Sequence, residues 1–127
     1  MKSKSDVEAL EKLIGQLQGL HSEISLLAKK APSDAVNAFK LRLINNVIAA
    51  ANDVLGPNYL PFGDFEAFNA DDVPSTSDVA LVLAQYMEEA ERYRSDNVKY
   101  WKGRWVYVVN GDSSDIPSGA PTKVGKK

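Results

Sequence analysis

Between residues 92 and 105 the chain sets five cations, Arg92, Arg94, Lys99, Lys102 and Arg104, among four aromatic residues, Tyr93, Tyr100, Trp101 and Trp105. That mixture suits one kind of chemistry, which is adhesion. Aromatic faces stack on unpaired bases or fill pockets on a protein partner, while guanidinium and ammonium groups meet phosphates or carboxylates. The candidate binding residues are therefore Arg94, Lys99, Tyr100, Trp101, Lys102, Arg104 and Trp105. Against a nucleic-acid reading stand a missing RNA-recognition signature and the neighbouring acids Glu88, Glu89, Glu91 and Asp96.

Catalytic chemistry finds less to work with. His21 is the sole histidine, and it has no second ligand at metal-binding spacing, so it reads as a helix-flank residue. No phosphate-cradling glycine loop and no nucleophile elbow occurs. The run "VNGDSSD" precedes no helix and reads as turn and tail. Asp64, Glu66, Asn69, Asp71 and Asp72 crowd one connection, yet without the alternating spacing of a calcium loop. Glu88, Glu89 and Glu91 lack any sign of the burial that separates two carboxyl pKa values. The expectation is a non-enzyme with no catalytic residues, no cofactor and no metal.

Totals bound the rest. A chain of 127 residues, 44% apolar and 25% charged, can bury a core without metal or disulfide staples. It has no cysteine, which removes disulfides, thiolate metal sites and thiol nucleophiles. The net charge of −2 gives no general attraction to nucleic acid or to anionic membranes. No apolar run approaches the ~20 residues of a bilayer span, and "MKSKSDVEAL" does not resemble a signal peptide. A cytoplasmic protein without membrane contact is expected. Charge is uneven: residues 1–57 carry +1, residues 58–97 carry −7 and residues 98–127 carry +4. The acidic middle and basic end can attract, within one chain or between two.

The elements that must position these residues are mostly helical. Leu10, Leu13, Leu17, Leu20, Ile24 and Leu27 repeat at alternating spacings of 3 and 4, a heptad seam that predicts a helix over 5–30. Gly15 and Gly19 lie off that seam, either as tolerated residues on a wet face or as a flat groove for another backbone. A second helix is expected over 33–55, capped by Ser33 or Asp34 and ended by Gly56-Pro57. Val36, Phe39, Leu43, Val47, Ala50 and Val54 form its stripe, and Leu41, Ile44, Ile48, Ala51 and Leu55 broaden it. Apolar over most of its girth, it is expected at the centre of the fold.

Residues 57–75 form a long connection in which Phe62, Phe65 and Phe68, spaced by three, suggest a short helical turn. Ser75 and Asp78 sit at capping-box spacing before a third helix over 76–96. The period then changes to two. "NVKYW" and "RWVYVV" flank Lys102-Gly103 and predict a hairpin near 98–109, with Trp105, Tyr107 and Val109 on one face and Arg104, Val106 and Val108 on the other.

The resulting fold class is α+β, mainly α: a three-helix core, a C-terminal β-hairpin and a disordered tail. One globular domain is expected over 1–110, with a flexible polar tail over 111–127. The functional expectation is a protein-interaction protein, an accessory subunit, adaptor or inhibitor, that binds a protein partner or itself as a homo-oligomer. Its unpaired hairpin edge and aromatic face suit that role. The alternative is single-stranded nucleic acid or a nucleotide bound by the same hairpin.

Overall fold

The structure, a computed structural model, describes residues 1–122. Three helices, α1 (Lys4–Lys30), α2 (Ala38–Leu55) and α3 (Thr76–Asp96), precede three strands, β1 (Val98–Trp101), β2 (Arg104–Val109) and β3 (Asp112–Pro117). The strands form one antiparallel sheet in the order β1-β2-β3. The architecture is α+β and mainly helical.

Helix α1 begins where its sequence supplies a reciprocal cap. Ser3 Oγ accepts from the Asp6 amide at 3.3 Å, and Asp6 Oδ2 accepts from the Ser3 amide at 3.2 Å. Val7, Leu10, Leu13, Leu17 and Ile24 are buried along the seam, with Leu20 and Leu27 half-buried at its edge. Helix α3 uses the same device through Ser75 and Asp78, as its sequence spacing predicts. Val79, Leu83, Tyr86 and Ala90 are buried on its inner face. The most extensive helix pairing joins α1 to α3, so these two, and not α2, form the centre of the fold.

Helix α2 departs from expectation in two ways. It starts at Ala38 with Asn37 as cap, whose Oδ1 accepts from the Lys40 amide at 2.8 Å. The residues before it are held otherwise: the Val36 amide donates to the Pro74 carbonyl and the Thr76 amide to the Asp34 carbonyl. Ala35 and Ser75 form a β-bridge, which satisfies this backbone outside the helix. The second departure is the choice of face. Leu41, Ile44, Ile48, Ala51 and Leu55 are buried, whereas Phe39 is 59% and Leu43 43% exposed. Val36 of the first stripe is buried ahead of the helix, and the part of that stripe on α2 is the open side, because α1 and α3 cover only the other.

The Phe-rich connection is not helical over 62–68; a single 3-10 turn forms later, at Ala70–Asp72. Two asparagines of α2, seven residues apart and so on one face, grip its backbone. Asn45 pairs with both polar groups of Phe68, and Asn52 Nδ2 donates to the Glu66 carbonyl at 3.3 Å. Phe65 and Phe68 thereby reach the core edge-to-face, with ring centres 5.0 Å apart.

The sheet runs beyond the expected hairpin. Asn110 and Gly111 both have positive φ, 54° and 81°, and turn the chain into β3. The ladder is irregular: Val106 faces Pro117 while Val108 faces Ser113, so β3 bulges between them. Ser114 Oγ fills the gap, donating to the Tyr107 carbonyl at 2.6 Å and accepting from the Ile116 amide at 3.2 Å. Residues 111–122, read in sequence as tail, are thus hydrogen-bonded. Residues 123–127, with Lys123, Lys126 and Lys127, lie outside the described residues.

Candidate interaction surface

Period-two alternation divides the hairpin residues between two faces. Tyr107 points inward and is buried in the helical core, its hydroxyl 3.4 Å from Glu11 Oε2. Burial, and then the Glu11 charge, push its pKa up. Val109 packs half-buried on the same side. Trp105 is half-buried and meets Tyr100, its partner in register, edge-to-face at 5.7 Å. Val106, flanked in register by Lys99 and Pro117, is buried as well, so the sheet is covered on both faces at that point.

The other face of the hairpin tip is built around Trp101. Trp101 is 43% exposed, and Lys99 Nζ and Lys102 Nζ lie 5.5 and 5.6 Å from its ring centre. Both ammonium groups are placed for cation–π attraction. Arg104, its register partner, is exposed and donates from Nη2 to the Asp115 carbonyl at 3.2 Å. Lys102 takes φ +50° and Gly103 +84°, the geometry a two-residue turn demands. Tyr100 is 60% exposed beside this tip. Strand β1 is an edge of the sheet.

Lys99, Trp101, Lys102 and Arg104 are therefore brought together on one face of the tip, Tyr100 and Trp105 pair on the opposite face, and Arg94 lies apart from both. Its guanidinium binds Glu91 Oε1 at 2.5 Å and Oε2 at 2.9 Å, Ser118 Oγ at 2.7 Å, and the carbonyls of Gly119 and Ala120 at 3.0 and 2.9 Å. The Arg94 hydrogen bond holds the Glu91 carboxyl below its usual range, and Thr122 Oγ1 adds a further donor at 2.7 Å. Arg94 is a clamp that ties the chain after β3 to α3. Arg92 pairs with Glu88 and Glu89 on the helix flank.

Chemistry elsewhere is sparse. His21 Nε2 sits 3.4 Å from Ser25 Oγ on α1. Among the described residues, no three His, Asp or Glu side chains converge as a metal site. Asn69 Oδ1 accepts from the Asp71 amide and caps the 3-10 turn of the acidic connection. No helix among the described residues is long and apolar enough to cross a membrane. Comparison of the chain with protein-family models, with curated proteins and with solved structures gives no match in any of the three.

Sequence reasoning missed three structural contributors. Asn45 and Asn52 carry a signal, polar residues seven apart in an apolar helix. Asn110-Gly111 carries the strongest short hairpin signal known. The Arg94 clamp has only a partial signal, Glu91 three residues before it, because its other acceptors, Ser118 Oγ and two backbone carbonyls, lie far along the chain.

Proposed function

We propose that this is a non-enzymatic interaction protein, an accessory subunit, adaptor or inhibitor of the cytoplasm. It engages a protein partner through the hairpin tip and associates with itself through its helices. The observation that carries the reading is Trp101, an exposed indole flanked by Lys99 and Lys102 on an edge strand. Aromatic anchors amid cations suit a partner with an acidic rim, and an edge strand suits strand addition.

A second reading, binding of single-stranded nucleic acid or a nucleotide, draws on the same residues. The engagement of Arg92 and Arg94 with glutamates disfavours it, because two of the five cations are already neutralised. Purification of the full chain from its native host separates the two. The protein reading expects a co-purifying polypeptide in fixed ratio and a protein-like 260/280 nm absorbance ratio. A high ratio, with material released by salt, would favour the nucleic-acid reading instead.

A further inference from the structure

We propose that a second copy of this chain docks on the open face of α2, antiparallel to it, across a two-fold axis near Asn46 and Val47. The inference rests on the self-association part of the reading above and concerns a different face from the hairpin.

The apolar side of α2 left uncovered contains Phe39, Leu43 and Ala50, all exposed, with Val47 and Val54 half-buried. It continues into a groove against α1, floored by Leu13, Leu20 and Ile24. Exposed apolar stripes of this kind mark contact surfaces. The stripe is arranged symmetrically about the Asn46–Val47 peptide bond. Reversal of a second helix sets Phe39 against Val54 and Leu43 against Ala50, pairing large with small at each position. Asn46 falls beside the axis, where one polar residue in an apolar seam fixes register.

Charge selects a reversed copy as the occupant. Arg42 near the start of α2 and Asp53 near its end are eleven residues apart, so they share one flank of the stripe. Both are exposed. A two-fold axis brings each Arg42 to the Asp53 of the other copy, twice. A parallel arrangement sets like on like. The other flank repeats the pattern on α1, where Lys12 and Glu23, also eleven apart, line the two ends of the groove. Two-fold reversal pairs these opposite signs too.

Gly19 of α1 fits the same arrangement. Gly19 lines the middle of the groove with Leu43 and Val47. A Cβ built on Gly15 or Gly19 would meet nothing within 4 Å, so no internal packing requires either glycine. Bare backbone at the centre of the face lets the two α1 helices come close where the axis passes.

Sedimentation equilibrium of the full chain tests this. The expected species has about twice the 13.9 kDa chain mass. Arg42→Asp and Asp53→Arg each raise the dimer dissociation constant about tenfold or more, and the double variant restores it towards the parent value. Leu43→Glu gives a monomer with an unchanged circular-dichroism melt, while Trp101→Ala leaves the dissociation constant unaltered. A monomeric parent at high concentration overturns the proposal. So does a dimer indifferent to Leu43→Glu, a double reversal no better than either single one, or a dimer lost on Trp101→Ala; this last result would move self-association to the hairpin.

Discussion

The carboxamide of Asn45 closes both backbone polar groups of Phe68, donating from Nδ2 to its carbonyl at 2.9 Å and accepting from its amide at 2.8 Å. A side chain here replaces the strand that an extended segment would otherwise need. Asn45→Ala leaves both groups without this partner at a half-buried position, a loss of about 1–3 kcal/mol. Urea denaturation is expected to show that loss in the midpoint.

The Arg94 clamp predicts a local and a pH-dependent effect. Arg94→Ala removes the donors to Ser118, Gly119 and Ala120. Hydrogen exchange at the Thr122 amide, now donated to Ser95 Oγ, is expected to speed up while the core amides of α1 stay protected. The Glu91 carboxyl has a folded pKa below its unfolded one. Its contribution to stability is therefore complete above the unfolded value of about 4.3 and disappears as pH falls through the lowered folded value. Glu91→Gln is expected to flatten that acid limb.

At the alkaline end Tyr59 is one of four tyrosines held above their usual pKa, with Tyr86, Tyr93 and Tyr107. Tyr59 donates from its hydroxyl to Asp96 Oδ2 at 2.6 Å and stacks its ring on Tyr93 at 4.8 Å. Desolvation, followed by the hydrogen bond and charge of Asp96, pushes its pKa up to about 12. A folded pKa raised above the unfolded value of about 10 gives stability that is present below pH ~10 and lost as pH rises towards the folded value. Ultraviolet titration is expected to show a late phenolate step that Tyr59→Phe reduces by one tyrosine, leaving the raised Tyr86, Tyr93 and Tyr107.

The turn at Asn110-Gly111 carries the third strand. Gly111 has φ +81°, so Gly111→Ala is expected to cost about 1–2 kcal/mol by forcing a side chain into left-handed geometry. Loss of β3 protection in hydrogen exchange, with helical circular dichroism kept, is the readout.

The fold was legible where pattern and burial coincide. The α1 seam, the capping box of α3 and the alternation that buries Tyr107 all follow from spacing. The face of α2 was not, because two apolar stripes compete and only tertiary placement against α1 and α3 chooses between them. Residues 112–117 were misread for a related reason: "DSSDIP" has no apolar alternation, and its pairing comes from β2 and the preceding turn. Of the candidate residues, the grouping of Lys99, Trp101 and Arg104 on one face is legible from alternation. Arg94 looked equivalent because sequence proximity does not reveal which acceptors a guanidinium will find.

On the proposed reading Trp101 serves binding and not folding. The direct test compares Trp101→Ala with Trp105→Ala, measuring unfolding free energy and retention of the co-purifying partner on the same samples. Trp101→Ala is expected to cost clearly less stability than Trp105→Ala, yet to lose the partner. Trp105→Ala is predicted to lower stability clearly. A Trp101→Ala protein that unfolds as easily as Trp105→Ala, or that keeps its partner, would rule out a binding role for Trp101.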